Sequence, residues 1–411
     1  MRRIRRIILA GICVVMMGVR PATARVFLQI TKNFTEKAEI VIVLQRPTGP
    51  YWDGFLSILK RDLEYSGYFF VRKACLATGE ELARERDALT TELLLEGRGQ
   101  GERCSFTVRD MLDEKNLFSE SFIVEKNSRA FAHRINDEII RAVTGKPGIA
   151  RSRILFVSRR TGTPQIFVAD YDGANSRQVT RAGYHLGFPR WLPRGRGFLF
   201  VSYRAGWPKI VRSDLQGGAH DVLVSEPGLN ACVSIAPAVG KMALVLSKPG
   251  NPEVYLASLE GKILRRITRY RGVDGSPSLS PDGNTVAFVS DRSGKPQIYV
   301  GDTGGYRAGR ISYGSGYCTS PAWSPDGRFI AYVVAVPGGF SAALFERGTG
   351  ETVRIGEQLG CEDLSWAADS RHLVYTDSSA RPAALRIIDV FTREIRTLTG
   401  PGGGYSPDWS R

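Results

Sequence analysis

The chain has 411 residues, 43% of them hydrophobic, which is enough to bury a core in two or three domains and too apolar for a disordered chain. Its 45 glycines and formal net charge of +15 favour many tight turns over long helices and a surface suited to acidic or polyanionic partners. Of six cysteines, Cys75, Cys104, Cys232, Cys318 and Cys361 lie beyond the first 24 residues, scattered with no CxxC pair, which does not read as a disulfide scaffold or a zinc site; their odd number leaves at least one unpaired or paired with another molecule once the first 24 residues are removed.

At the N-terminus, Arg2, Arg3, Arg5 and Arg6 precede an apolar run over 7–19, followed by the small residues of Ala22-Thr23-Ala24. This is the pattern of a signal peptide over 1–24 with cleavage before Arg25. The run is short of the roughly 20 residues that span a bilayer. Ile12 before Cys13 does not fit a lipobox, and no later segment is apolar for long enough to cross. Loss of the leader removes five arginines and leaves +10. Residues 25–147 hold 19 basic and 19 acidic side chains, so the whole excess belongs to the remainder. Export argues against nucleic acid as its partner.

Residues 25–147 read as a small α/β domain. Val26, Leu28 and Ile30 alternate, as a strand does. The run 40–44 reads as a buried strand. Trp52, Phe55, Leu56, Leu59 and Leu63 form one helical face ended by Gly67. Residues 68–72 and 93–95 are strand-like, Cys104, Phe106 and Val108 alternate, and so do Phe122 and Val124. Phe131, Ile135, Ile139 and Val143 make a second helical stripe stopped by Gly145.

From 148 onward the chain repeats. Ser280-Pro281-Asp282-Gly283 with the strand at 286–290 recurs 44 residues later as Ser324-Pro325-Asp326-Gly327 with the strand at 330–334. Ser-Pro-Asp-Gly fits a type I turn, so each copy is a hairpin. A unit of four short strands in this span is one propeller blade. The strand after the turn occurs six times, from 154 to 373. The strand before it also occurs six times, but shifted, from Pro189-Arg190-Trp191 to Pro407-Asp408-Trp409. The shift predicts a ring in which the C-terminal strand completes the first blade, removing two open sheet edges. The fold class is therefore mainly β: a six-bladed β-propeller over 148–411 preceded by a small α/β domain.

No Gly-x-Ser-x-Gly, Walker A or GxGxxG after a strand occurs, and His133, His185, His220 and His372 have no metal-ligand spacing. No catalytic residue, metal or cofactor is expected, and function moves to the surfaces. The loops leading into each first strand are long and varied. They offer Tyr184, His185, Leu229, Asn230, Arg271, Asp274, Gly275, Tyr317, Thr319, Glu362 and Tyr405 as a candidate partner surface, rich in the Tyr and Arg that anchor interfaces.

These repeats, from Ser276-Pro277-Ser278-Leu279 and Ser320-Pro321-Ala322-Trp323 to the final Ser406-Pro407-Asp408-Trp409-Ser410, resemble those of the TolB family of the Tol-Pal envelope system. So does the helix-to-strand junction at 59–69, and the passage from Ile139 through Pro147-Gly148 into the strand at 153–157. The resemblance covers nearly all of the mature chain. It implies a periplasmic, non-enzymatic adaptor, monomeric, whose propeller binds the lipoprotein Pal and whose N-terminal segment engages the inner-membrane protein TolA, in support of outer-membrane integrity and division. By position, Val26, Leu28 and Ile30 would be that segment, adding a strand to a partner's sheet, or else an internal strand of the α/β domain. The turn is degraded at 192–195, 236–239 and 367–370. A propeller-bearing periplasmic hydrolase or glycan-acting enzyme is the alternative, and it would need a polar cluster in the channel.

Overall fold

A computed structural model describes residues 36–45, 49–77, 91–217, 220–305, 307–314, 316–356, 360–400 and 403–411. Residues 1–24, expected to be a signal peptide, lie outside them. No helix among the described residues is long and apolar enough to cross a membrane.

The first elements form a five-stranded sheet of order β2-β1-β3-β4-β5. Its strands are β1 (Ala38–Gln45), β2 (Phe69–Ala77), β3 (Leu93–Gln100), β4 (Arg103–Asp110) and β5 (Lys115–Ile123). β1 runs parallel to β2 and β3, and the β3-β4-β5 pairs are antiparallel. Helices α1 (Pro50–Tyr65) and α2 (Ser128–Thr144) bury their apolar stripes on one face of this sheet. Trp52, Phe55, Leu59 and Leu63 of α1 meet Phe131, Ile135 and Ile139 of α2 over Ile40, Ile42 and Leu44. Local chemistry sets the α2 ends. Asn127 Oδ1 accepts from the Arg129 and Ala130 amides, and Gly145 takes the left-handed conformation that closes the last turn.

Six four-stranded sheets follow. Blade 1 holds Arg153–Ser158, Gln165–Asp170 and Arg177–Gln178, and its innermost strand is the C-terminal Tyr405–Trp409, which pairs antiparallel with Arg153–Ser158. Blades 2 to 6 begin at Leu186–Trp191, Asn230–Ala236, Asp274–Leu279, Cys318–Trp323 and Cys361–Trp366. The six-bladed ring predicted from the shifted repeats is therefore the observed architecture. The degraded turns keep their hairpins, because the flanking strands pair without them.

Adjacent blades are joined through their innermost strands at all six junctions. Ser234 Oγ accepts from the Leu279 amide at 2.9 Å, Ser278 Oγ from the Trp323 amide at 2.9 Å, and Ser365 Oγ from the Trp409 amide at 3.0 Å. Asp408 Oδ2 accepts from the Trp191 amide at 2.7 Å, across the seam between blades 1 and 2. Arg190 Nε donates to the Val233 carbonyl, and Trp366 Nε1 to the Ala322 carbonyl. Each bond satisfies a backbone group that strand pairing leaves open.

The α/β unit docks on the turn side of blades 1 and 6. Arg61 and Arg129 both pair with Asp172 at 2.6 Å, and Tyr171 and His133 both bond the buried Asp62. Arg371 directly follows the degraded turn of blade 6. It pairs with Asp389 at 2.7 Å and donates to the Gly67 carbonyl at 2.7 Å. A Cβ on Gly67 would stand 2.3 Å from Asp389, so this approach requires glycine.

Candidate partner interface

The channel is shaped by one repeated irregularity. Phe188, Cys232, Ser276, Ser320, Asp363 and Ser406 all have φ between 46° and 54°. They occupy the same place in the six innermost strands, and each strand shifts register there. Such a bulge bends and twists the strand and turns side chains towards the axis. A left-handed non-glycine residue is strained, and the same strain at six equivalent sites is a property of the ring. Phe188, Cys232, Ser276, Ser320 and Asp363, with Pro277 and Pro321, line the recess on the lead-in side.

The recess holds little reactive chemistry. Burial pushes the thiols of Cys232, Cys318 and Cys361 up, which keeps them protonated and unreactive. Cys104, Cys232, Cys318 and Cys361 form no disulfide. Asp363 accepts from Ser406 Oγ at 2.9 Å. Asp408 is held by the Trp191 amide and by Ser365. No group of three or more His, Cys, Asp or Glu among the described residues is arranged to hold a metal ion.

The lead-in residues divide into two kinds. His185, Arg271 and Tyr317 are exposed, and Tyr184, Leu229, Gly275, Thr319, Glu362 and Tyr405 are half-buried around the mouth. Asn230 and Asp274 do not belong to this surface, being only 1% and 0% exposed. Asn230 pins its own loop, accepting from the Glu226 amide and donating to the Glu226 and Gly228 carbonyls. Asp274 pairs with Arg292 at 2.8 Å, and burial raises its pKa despite that partner. Both side chains hold the loops in place and are covered. Val26, Leu28 and Ile30 lie outside the described residues.

A second set of loops shares this face: those joining the second and third strands of each blade. Four repeat one turn, with the amides of Gly162, Gly206, Gly250 and Gly294 bonded to the carbonyl three residues back. They interlock with the lead-in loops. The Tyr203 amide donates to the His185 carbonyl, the Ser247 amide to that of Leu229, and the Ser378 amide to that of Gly360. They carry Trp207 and Tyr203, which sequence reading passed over. The signal was present as Gly-x-Pro at 162–164, 206–208, 250–252 and 294–296, at the same 44-residue step.

Comparison with known proteins places this arrangement. The family model of the TolB β-propeller domain matches residues 140–411. The Tol-Pal system protein TolB of Anaplasma marginale is 28% identical over 247 residues, 54% of this chain and 55% of that protein. The TolB of Polaromonas naphthalenivorans is 32% identical over 192 residues, 43% of each. The chain thus spans about half the length of the curated relatives it matches. The crystal structure of TolB from Acinetobacter baumannii superposes with a TM-score of 0.79 at 25% identity, covering 91% of this chain and 97% of that one.

Proposed function

The chain belongs to the TolB β-propeller family, and from that premise we propose that it is a periplasmic, non-enzymatic adaptor of the Tol-Pal system. In this reading the propeller binds the lipoprotein Pal through its lead-in face. The N-terminal segment around Val26, Leu28 and Ile30 engages TolA, and the assembly supports outer-membrane integrity and constriction at division. The protein works as a monomer, and its N-terminal leader over 1–24 is removed on export.

The observation that carries this reading is the division of the two faces. The α/β unit covers the turn side at blades 1 and 6 through Asp172, Asp62 and Arg371. The lead-in side keeps its exposed rings and cations around a closed channel. The rival reading, a hydrolase or glycan-acting site in the channel, has less support, because Asp363 and Asp408 are already bonded within the ring.

The test is capture of partners by the tagged mature chain from an envelope extract of its own organism. Pal and TolA should both be recovered. Removal of residues 25–33 should abolish TolA recovery and leave Pal. Recovery of neither partner by the intact chain would sink the adaptor reading.

A further inference from the structure

The two faces of the propeller differ in charge. On the lead-in side, the described residues of the loops between second and third strands and of the loops into each innermost strand carry ten Lys/Arg and two Asp/Glu, a net of +8. The loops of the turn side, with Ser410 and Arg411, carry nine and eight, a net of +1. Some lead-in cations are internally engaged. Arg292 pairs with Asp274, Lys248 with Glu226 at 3.4 Å, and Arg160 lies 3.9 Å over the Phe167 ring. Six others, Arg159, Arg181, Arg204, Arg269, Arg271 and Arg381, are exposed and have no carboxylate partner among the described residues.

Aromatic rings mark the same face. Among the described residues, the exposed Phe, Tyr and Trp of the propeller are Phe188, Tyr203, Trp207, Tyr313 and Tyr317, and all five lie on the lead-in side. Trp207 is 67% exposed and Tyr313 77%. Arg, Trp and Tyr are the residues over-represented in protein–protein contacts, where Lys is depleted.

We propose that the lead-in face docks an acidic protein surface, steered by these six unpaired arginines and anchored by the aromatic rings around the recess. The inference rests on the adaptor reading and gives the partner's contact surface its chemistry: clustered carboxylates on a protrusion that enters the recess. A guanidinium fork fits a carboxylate through two parallel hydrogen bonds, which a lysine does not provide. An anionic bilayer is the rival occupant. It is flat and touches only the rim, whereas the recess between Phe188, Ser276, Ser320 and Asp363 is concave.

The probe is the water-soluble domain of the organism's own Pal, titrated against the mature chain between low and high salt. The association rate should fall about tenfold or more as salt rises, because steering by exposed charges is screened. The triple charge reversal R204E, R271E and R381E should reduce the low-salt association rate by a similar factor. Those three side chains are exposed, so its melting temperature should stay within a few degrees of the parent. Trp207→Ala should act on dissociation instead. Binding of Pal that is indifferent to salt and to the triple reversal would overturn this inference and leave the adaptor reading standing. No binding of Pal at any salt would overturn both. If the triple variant kept Pal binding but lost binding to phosphatidylglycerol vesicles, the face would be a lipid contact and the inference wrong.

Discussion

At the scale of single residues, two largely covered carboxylates are set in opposite directions by their surroundings. Burial raises the pKa of Asp408, against the opposing pull of Arg190 and the Trp191 amide. A carboxyl raised on folding adds stability below the unfolded value of about 3.9, and that contribution is lost as pH rises through the folded value. At neutral pH its charge is therefore a cost, while its acceptor role is a gain. Asp408→Asn should be near neutral in thermal unfolding at pH 7, since an amide oxygen can still accept from Trp191 and Arg190 keeps its bonds to backbone carbonyls. Asp408→Ala should lose about 1–3 kcal/mol by leaving the Trp191 amide unpaired. Equal losses in the two variants would contradict this account. Asp172 is the reverse case. Burial opposes its charge, but hydrogen bonding and charge from Arg129, with the charge of Arg61, hold its carboxyl below the usual value. Its stabilising effect is complete above about pH 3.9 and is lost as pH falls through the folded value. Asp172→Asn should flatten the acid side of the stability–pH curve and cost about 2–3 kcal/mol at pH 7, the low end for a buried pair because both arginines are partly exposed. An unchanged acid limb in this variant would show that the docking contact is not the acid-sensitive element.

At the scale of elements, the strand Tyr405–Trp409 carries the ring. It pairs with Arg153–Ser158, its Trp409 amide bonds Ser365, and its Asp408 accepts from Trp191. Blade 1 therefore meets both neighbours through the last residues of the chain. Deleting 406–411 should lower the melting temperature of all blades together in one cooperative step. Trp409→Ala offers a graded version, because Trp409 is 1% exposed and its indole bonds Ser152 at 2.7 Å. It should cost about 3–5 kcal/mol. A truncated chain that melted like the parent would remove the closing role. The blade count and this closure were legible because turn chemistry and strand pattern recur together: Ser-Pro-Asp-Gly followed by 286–290 and 330–334 needs no tertiary information. The ring of junction bonds was not legible. Its members are Ser234, Ser278 and Ser365 in three blades but Arg190, Ala322 and Asp408 in the others, so function is shared while residue type is not. Asn230 and Asp274 were read as surface residues for a related reason. A polar side chain in a loop looks exposed in a sequence, and only the fold shows that these two are turned inward to bond their own loops.

At the scale of the whole molecule, the α/β unit rests on blades 1 and 6, the two blades that meet at the closing strand. Arg61 and Arg129 reach Asp172 on blade 1, and Gly67 receives Arg371 from blade 6. Arg396 of blade 6 links the two patches, stacking over Tyr65 of α1 and over Tyr171 of blade 1. A unit held at both ends by one rigid pair of helices should dock as a body, so weakening one patch lowers the occupancy of the other. Arg371→Ala leaves Asp389 buried without its guanidinium and should cost about 3 kcal/mol. Combined with Asp172→Asn, the loss should fall short of the sum of the single losses by more than about 0.5 kcal/mol, because the second substitution acts on a contact already released. Hydrogen exchange in α1 should follow the same pattern, rising strongly in either single variant and little further in the double. Costs that add within about 0.5 kcal/mol, with exchange rising independently at each patch, would mean two separate contacts rather than one docked unit.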